Sequence, residues 1–365
     1  MGLTLKIFYR KIYINGACKL KDGQAYILAS NHPAGFVEPL IMACYFPRDL
    51  YFLTRGDLFA NKIYNYVFTA THQIPIFRFV DGFSSLRNNQ QSVGKAIQTL
   101  KEKKALLVFA EGNTSYCFNA RPLQKGFARI GFQALTEDPS LDIKVMPIGI
   151  SFNNVDKMGS DVILNVGDPI DLKTYFDTEP SKAASGMNDL LRDTHLQMKQ
   201  LMLVDDDTMP IIDIRKAWSS AAKDDNLIFP KVVRDTDFFS KIKEDLANKR
   251  NQTNNDHLPI INGNKNTFLP FLWPLAIPSL IFTFVPRLLS SFYKNKKVKK
   301  LEFKMPVALA VGLISYLIMM ILFLVIFSFI FGFIKALGLL ILILLSGLVH
   351  VLVWENSFKK VNGKS

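Results

Sequence analysis

The segment Ser30-Asn31-His32-Pro33-Ala34-Gly35-Phe36-Val37-Glu38 follows a short apolar run, Tyr26-Ile27-Leu28-Ala29. A histidine at a strand end, with a carboxylate six positions on at the start of a helix, can form a general base and its orienting partner. The carboxylate fixes the imidazole tautomer and stabilises the imidazolium once the other ring nitrogen has taken a proton. No Gly-x-Ser-x-Gly nucleophile elbow occurs, so the proton would come from the substrate itself. Three later segments have chemistry of their own. Ile74-Pro75-Ile76-Phe77-Arg78 places a guanidinium at a strand end, where its planar donors suit a phosphate. Phe109-Ala110-Glu111-Gly112 ends another strand with a carboxylate and a flexible glycine, and Val145-Met146-Pro147-Ile148 is an apolar strand with an internal proline. Singly, each has a plainer reading: a capped turn, a surface arginine, a strand-end turn, a buried edge strand.

The elements that must position these residues are legible in the first 200 residues. Ala25–Ala29, Leu50–Leu53, Ala105–Phe109, Lys144–Ile150 and Val162–Val166 read as strands, most of them bounded by Gly, Pro, Asn or Asp. Gly35–Tyr45, Ser84–Lys103 and Gly126–Glu137 read as helices from their apolar spacing. The alternation predicts an α/β domain with a mostly parallel central sheet flanked by helices. The spacing of Leu5, Phe8 and Ile12 predicts an amphipathic helix over Met1–Ile14, lying on a membrane surface or packed on the domain.

Charge and hydropathy divide the rest. The chain carries a net charge of +13, yet residues 265–365 hold 12 of its 44 basic and only 2 of its 31 acidic side chains. The excess flanks apolar segments, which marks a cytoplasmic membrane face and argues against nucleic acid as partner. Met305–Ile334 and Ala336–Trp354 are uncharged and long enough to span a bilayer, which takes about 20 apolar residues. Phe268–Pro286 is also uncharged but is punctuated by four prolines. The basic residues between Arg287 and Lys304 and after Trp354 favour a hairpin with both ends in the cytoplasm, leaving the proline-rich run re-entrant or interfacial. The expected division is therefore 1–205 a catalytic α/β domain, 206–266 a helical extension and linker, 267–292 the re-entrant or interfacial segment, and 305–356 a transmembrane hairpin. Cys18, Cys44 and Cys117 are scattered, with no disulfide framework and no zinc spacing, and the histidines form no metal-binding cluster.

Taken in order, Asn-His…acid, Ile-x-x-Arg, Phe-x-Glu-Gly and Val-x-Pro-Ile resemble the four blocks of the glycerolipid acyltransferase family, the glycerol-3-phosphate and lysophosphatidate acyltransferases. The resemblance covers roughly Asn31 to Asp168. It includes Arg121-Pro122-Leu123-Gln124-Lys125-Gly126, which is similar to a segment of a branch with C-terminal hydrophobic segments. It implies that His32 is the general base, oriented by Glu38, and that Arg78 holds an acceptor phosphate with help from Arg121 or Lys125. Glu111 and Gly112 would position the acceptor, and Pro147 would shape the acyl end. The implied donor is acyl-CoA or acyl carrier protein, as cosubstrate, with no cofactor and no metal. The implied acceptor is glycerol 3-phosphate or lysophosphatidate, at a membrane, and the branch points to a bacterial inner membrane. Two departures stand out: Glu38 where the family usually has Asp, and Phe-Ala-Glu-Gly-Asn-Thr-Ser where Phe-Pro-Glu-Gly followed by Thr and Arg is usual. They leave room for another lipid acceptor, such as an amino-lipid precursor, or for a catalytically weak lipid-binding or scaffold protein.

Overall fold

The computed structural model describes residues 2–35, 37–60, 62–77, 83–155, 159–204, 209–224, 232–251, 273–298 and 301–361. Its centre is a twisted sheet of β1 (Lys11–Asn15), β2 (Ala25–Ser30), β3 (Leu50–Arg55), β4 (Gln73–Ile76), β5 (Ala105–Phe109), β6 (Ile143–Phe152), β7 (Asp161–Val166), β8 (Ile170–Asp171) and β9 (Val232–Arg234). The order is β4-β3-β5-β2-β6-β7-β1-β9, with β8 also paired to β6. Pairing is parallel except for β6 with β7 and with β8. The mostly parallel α/β sheet expected from the sequence is therefore present.

Parallel strands need helical crossovers, and these cover both faces of the sheet. Adjacent strand residues point to opposite layers. Leu28, Leu107 and Met146 enter one core with Ile41 and Met42 of α2 (Val37–Tyr45) and Leu5 of α1 (Gly2–Phe8). Ile27, Leu106 and Val145 enter the other, with Ile97 of α4 (Phe83–Lys101), Phe127 and Ile130 of α5 (Gly126–Glu137) and Leu190 of α6 (Pro180–Leu201). α3 (Lys62–Ala70) joins β3 to β4. Pro147 is not on an edge strand: β6 lies between β2 and β7. The missing N–H falls where the second ladder passes from β8, paired at Lys144 and Val145, to β7, paired from Ile148 onward.

Two boundaries differ from expectation. The N-terminal helix ends at Phe8, and Ile12 belongs to β1, a strand buried at Lys11, Ile12, Tyr13 and Ile14. Its run of consecutive apolar residues, covered on both faces, matches helical spacing by chance. The extension after residue 205 is not purely helical. β9 pairs in parallel with β1 and lengthens the sheet, between α7 (Ile211–Asp224) and α8 (Phe238–Asn251). Trp218 of α7 is buried and donates from Nε1 to Asp161 Oδ2 at 3.1 Å. Asp161 also takes a two-point ion pair from Arg10, with Nε at 2.8 Å from Oδ1.

Beyond residue 272 come three long helices: α9 (Trp273–Lys296), α10 (Leu301–Phe331) and α11 (Phe333–Val361). Pro274–Lys296 and Val307–Phe331 are long and apolar enough to cross a membrane, and their most apolar stretches are mostly exposed. Gly332, at φ +83°, separates α10 from α11. α9 runs as one helix through Pro278 and Pro286. At Pro278 its ladder admits a side chain from α11: Ser346 Oγ accepts from Ser279 N at 3.1 Å and donates to Leu275 O at 2.6 Å.

Candidate active site

The C-terminal ends of β2 and β5 are neighbours in the sheet, so the loop leaving Ser30 meets the loop leaving Phe109. His32 sits on the loop out of β2, and its ring stacks on Phe109 with centroids 3.7 Å apart and planes 16° apart. Glu38, in the first turn of α2, is fully buried and brings Oε1 to 3.4 Å from His32 Nδ1. The same oxygen accepts from the backbone N of Ala34, which ties the loop to the helix. Gly35 adopts φ +69° to make the turn between them. His32 and Glu38 are thus brought together as the sequence implied, the longer Glu side chain being drawn back by its bond to Ala34. Nδ1 is buried without a hydrogen bond and has the Glu38 carboxylate as its nearest charge, which leaves Nε2 as the nitrogen able to receive a substrate proton.

The rest of the His32 loop is held by buried amides and carboxylates. Asn31, 1% exposed, pairs its side-chain amide with β6 as a strand would: Nδ2 donates to Ile150 O and Oδ1 accepts from Ile150 N, both at 2.8 Å. His32 N donates to Glu111 Oε2 at 3.2 Å, and His32 O accepts from Ser115 N at 3.0 Å. Glu111 Oε1 accepts from Arg121 N at 2.9 Å, and Arg121 Nη2 donates to Glu111 Oε2 at 2.5 Å. Gly112, at φ +78°, turns the chain beneath Gln124, where a Cβ would come within 2.8 Å of Gln124 Cγ.

Of the remaining candidates, Lys125 is exposed at the start of α5 and takes no part in this network. Arg78 lies outside the described residues. Just before it, Asn89 of α4 brackets Phe77, accepting from its N at 2.8 Å and donating to its O at 2.6 Å. Pro147 lies level with Ala29 of β2, two residues before Asn31.

Several participants were not singled out in the sequence. In the sequence Phe109 is only part of a block, and Asn31 only a motif residue. Tyr9 carried no signal: it is buried, and that burial, with the negative charge of Glu38 as a second cause, pushes its hydroxyl pKa well up. His195 of α6 stands in the field of Glu111 from another helix, and its Nδ1 is buried without a partner.

Residues 11–151 match the family model described as Acyltransferase, a stretch that contains His32, Glu38, Glu111 and Arg121 with all four blocks. Over this stretch, less than half of its length, the chain is similar to the acyltransferase family. Among solved structures it is similar to the 1-acyl-sn-glycerophosphate (LPA) acyltransferase PlsC from Thermotoga maritima, at 16% identity and a TM-score of 0.38, over 53% of this chain and 74% of that one. No curated protein matches the chain.

Proposed function

We propose that this protein moves a fatty acyl group from a thioester, acyl-CoA or acyl carrier protein, to a hydroxyl of glycerol 3-phosphate or lysophosphatidate. The observation that carries the reading is the His32–Glu38 pair at the end of β2, with Nδ1 turned to a fully buried carboxylate. In this reaction His32 Nε2 takes the proton of the acceptor hydroxyl while the oxygen attacks the thioester carbonyl carbon. Glu38 stabilises the imidazolium that results. The carbon–sulfur bond then breaks, and the thiolate leaves as thiol with the proton from His32. No acyl-enzyme intermediate is needed. Arg78 and Lys125 are the cations we assign to the acceptor phosphate, since a dianionic ligand needs fixed positive donors. The catalytic domain would face the cytoplasm, where such thioesters are made, with the C-terminal helices as its anchor.

The test is transfer of radiolabelled acyl chains from each donor to each acceptor by the detergent-solubilised full chain and by His32→Ala. General-base catalysis contributes about 10²- to 10⁴-fold, so His32→Ala should lose activity by that factor. Full activity in His32→Ala would exclude the mechanism, and transfer indifferent to the acceptor's phosphate would exclude the acceptor class.

A further inference from the structure

By resemblance, Glu111 and Gly112 would touch the acceptor and Arg121 would help to grip its phosphate. The geometry points to another division of labour: Glu111 and Arg121 form an internal bracket that positions His32, and neither takes hold of the acceptor. This rests on the acyl-transfer reading given above.

The Glu111 side chain is 1% exposed, which leaves it almost no surface for a ligand. A carboxylate can accept at about four lone-pair sites. Glu111 has three filled from within the protein, by Arg121 N, Arg121 Nη2 and His32 N. Arg121 is committed too. Its Nη1 donates to Asn113 Oδ1, its Nη2 donates to both Glu111 and Asn113 O, and its Nε is buried with no partner. A guanidinium grips a phosphate through two parallel N–H groups, and here those groups are already engaged by Glu111 and Asn113. The opposite charge of Glu111 at 2.5 Å also cancels most of the field that Arg121 would offer a dianion.

The bracket fixes backbone. Glu111 binds the N–H on one side of the His32 Cα, and Ser115 N binds the carbonyl on the other. Arg121 joins the far end of the same 112–125 loop to Glu111, and Gln124 N closes that loop on Ala110 O at 2.7 Å. With both peptide groups held, the ring has few places to go other than between Phe109 and Glu38. Both residues therefore act through His32 as positioning residues.

The test compares full-length wild type with Glu111→Gln and Arg121→Gln, and with the double variant, in detergent. Displacing a catalytic group by about 1 Å costs about 100-fold in rate, so kcat should fall by about that factor in each single variant. KM for the acceptor should stay within about twofold, and the double variant should lose little more than either single one, because the two act as a unit. Acceptor KM rising tenfold or more with kcat retained would overturn the inference and return both residues to the binding site. Arg121→Lys guards against misfolding: it keeps the charge beside Glu111 but loses the fork, and should show the same loss in kcat with KM unchanged. An independent readout is the ring signal of His32 in histidine-labelled protein, assigned by its absence in His32→Ala. Its position should shift in the Glu111 and Arg121 variants, and an unchanged signal would overturn the bracket. If wild type transfers no acyl group to any acceptor, the functional reading fails and the His32 signal alone decides the bracket.

Discussion

The α/β domain and the three C-terminal helices solve opposite packing problems with the same amino acids. In the domain, isoleucine and leucine disappear from solvent, as at Ile27, Leu28 and Ile148, all 0% exposed. In the helices many face outward: Ile281 is 71%, Phe329 89% and Ile334 85% exposed, while Ala276, Ser279, Ala336 and Ser346 are buried and Phe282 of α9 packs against Tyr316 and Phe323 of α10. Small residues let backbones approach and hydroxyls supply the bonds, which is the pattern of helices packed in lipid. The domain instead buries charge, and it does so only in company. Asp161, Glu38 and Glu111 are all 5% exposed or less, and each accepts bonds from backbone or side chains. Polar groups specify structure in both regions, by bonded charges in one and by single hydroxyls in the other.

The sharpest way to break this contrast is at Asp161. Asp161→Ala would strand Arg10 and the Trp218 N–H together, and removing one partner of a buried ion pair costs about 3–5 kcal/mol. Denaturant unfolding of the variant should show that loss, with α7 released from β7. A smaller effect is expected at Asn31. Asn31→Asp keeps the shape but sets an oxygen against Ile150 O, and a buried polar group left unsatisfied costs about 1–3 kcal/mol. The melting temperature should fall and kcat with it, since the next residue along the chain is His32. In the helices the expectation is lower still. Ser346→Ala should cost about 0.6 kcal/mol, the average for such bonds in lipid, measured by unfolding in bicelles. A loss as large as that at Asp161 would erase the distinction between the regions.

The subtlest test is by pH. Burial, and then the nearby Lys199, push the His195 imidazole pKa down from its usual 6.5, against an opposing pull from Glu111. The unfolded chain therefore binds this proton at a higher pH than the folded one. Stability falls as pH drops below about 6.5, until the folded group protonates too. His195→Gln should flatten that slope in melting curves taken between pH 5 and 7. An unchanged slope would place the acid sensitivity elsewhere.

Much of the fold was open to reading because its signals are local. β5 and α5 have the limits expected from Ala105–Phe109 and Gly126–Glu137, where a short β-rich run and a 3.6-residue period stand between clear breaks. β1 misled because a strand buried on both faces shows no alternation. β9 gave no signal at all: it is three residues long and is a strand only because β1, more than 200 residues earlier, pairs with it. In the site, the order of blocks located His32, Glu38, Glu111 and Arg121, but spacing along a chain does not give the direction of a side chain. Glu111 and Arg121 could each be matched to a substrate on paper. In the fold they are matched to each other.

The insertion of Ser346 beside Pro278 has a consequence for biosynthesis. α9 emerges from the ribosome well before its partner, which lies 67 residues further on at the Ser279 contact. Until α11 is made, α9 carries a proline-weakened turn without the hydroxyl that bridges Leu275 and Ser279. The first of the three helices to be made is thus completed by the last, and a nascent chain stalled before Ser346 would hold an unfinished helix within reach of quality-control proteases.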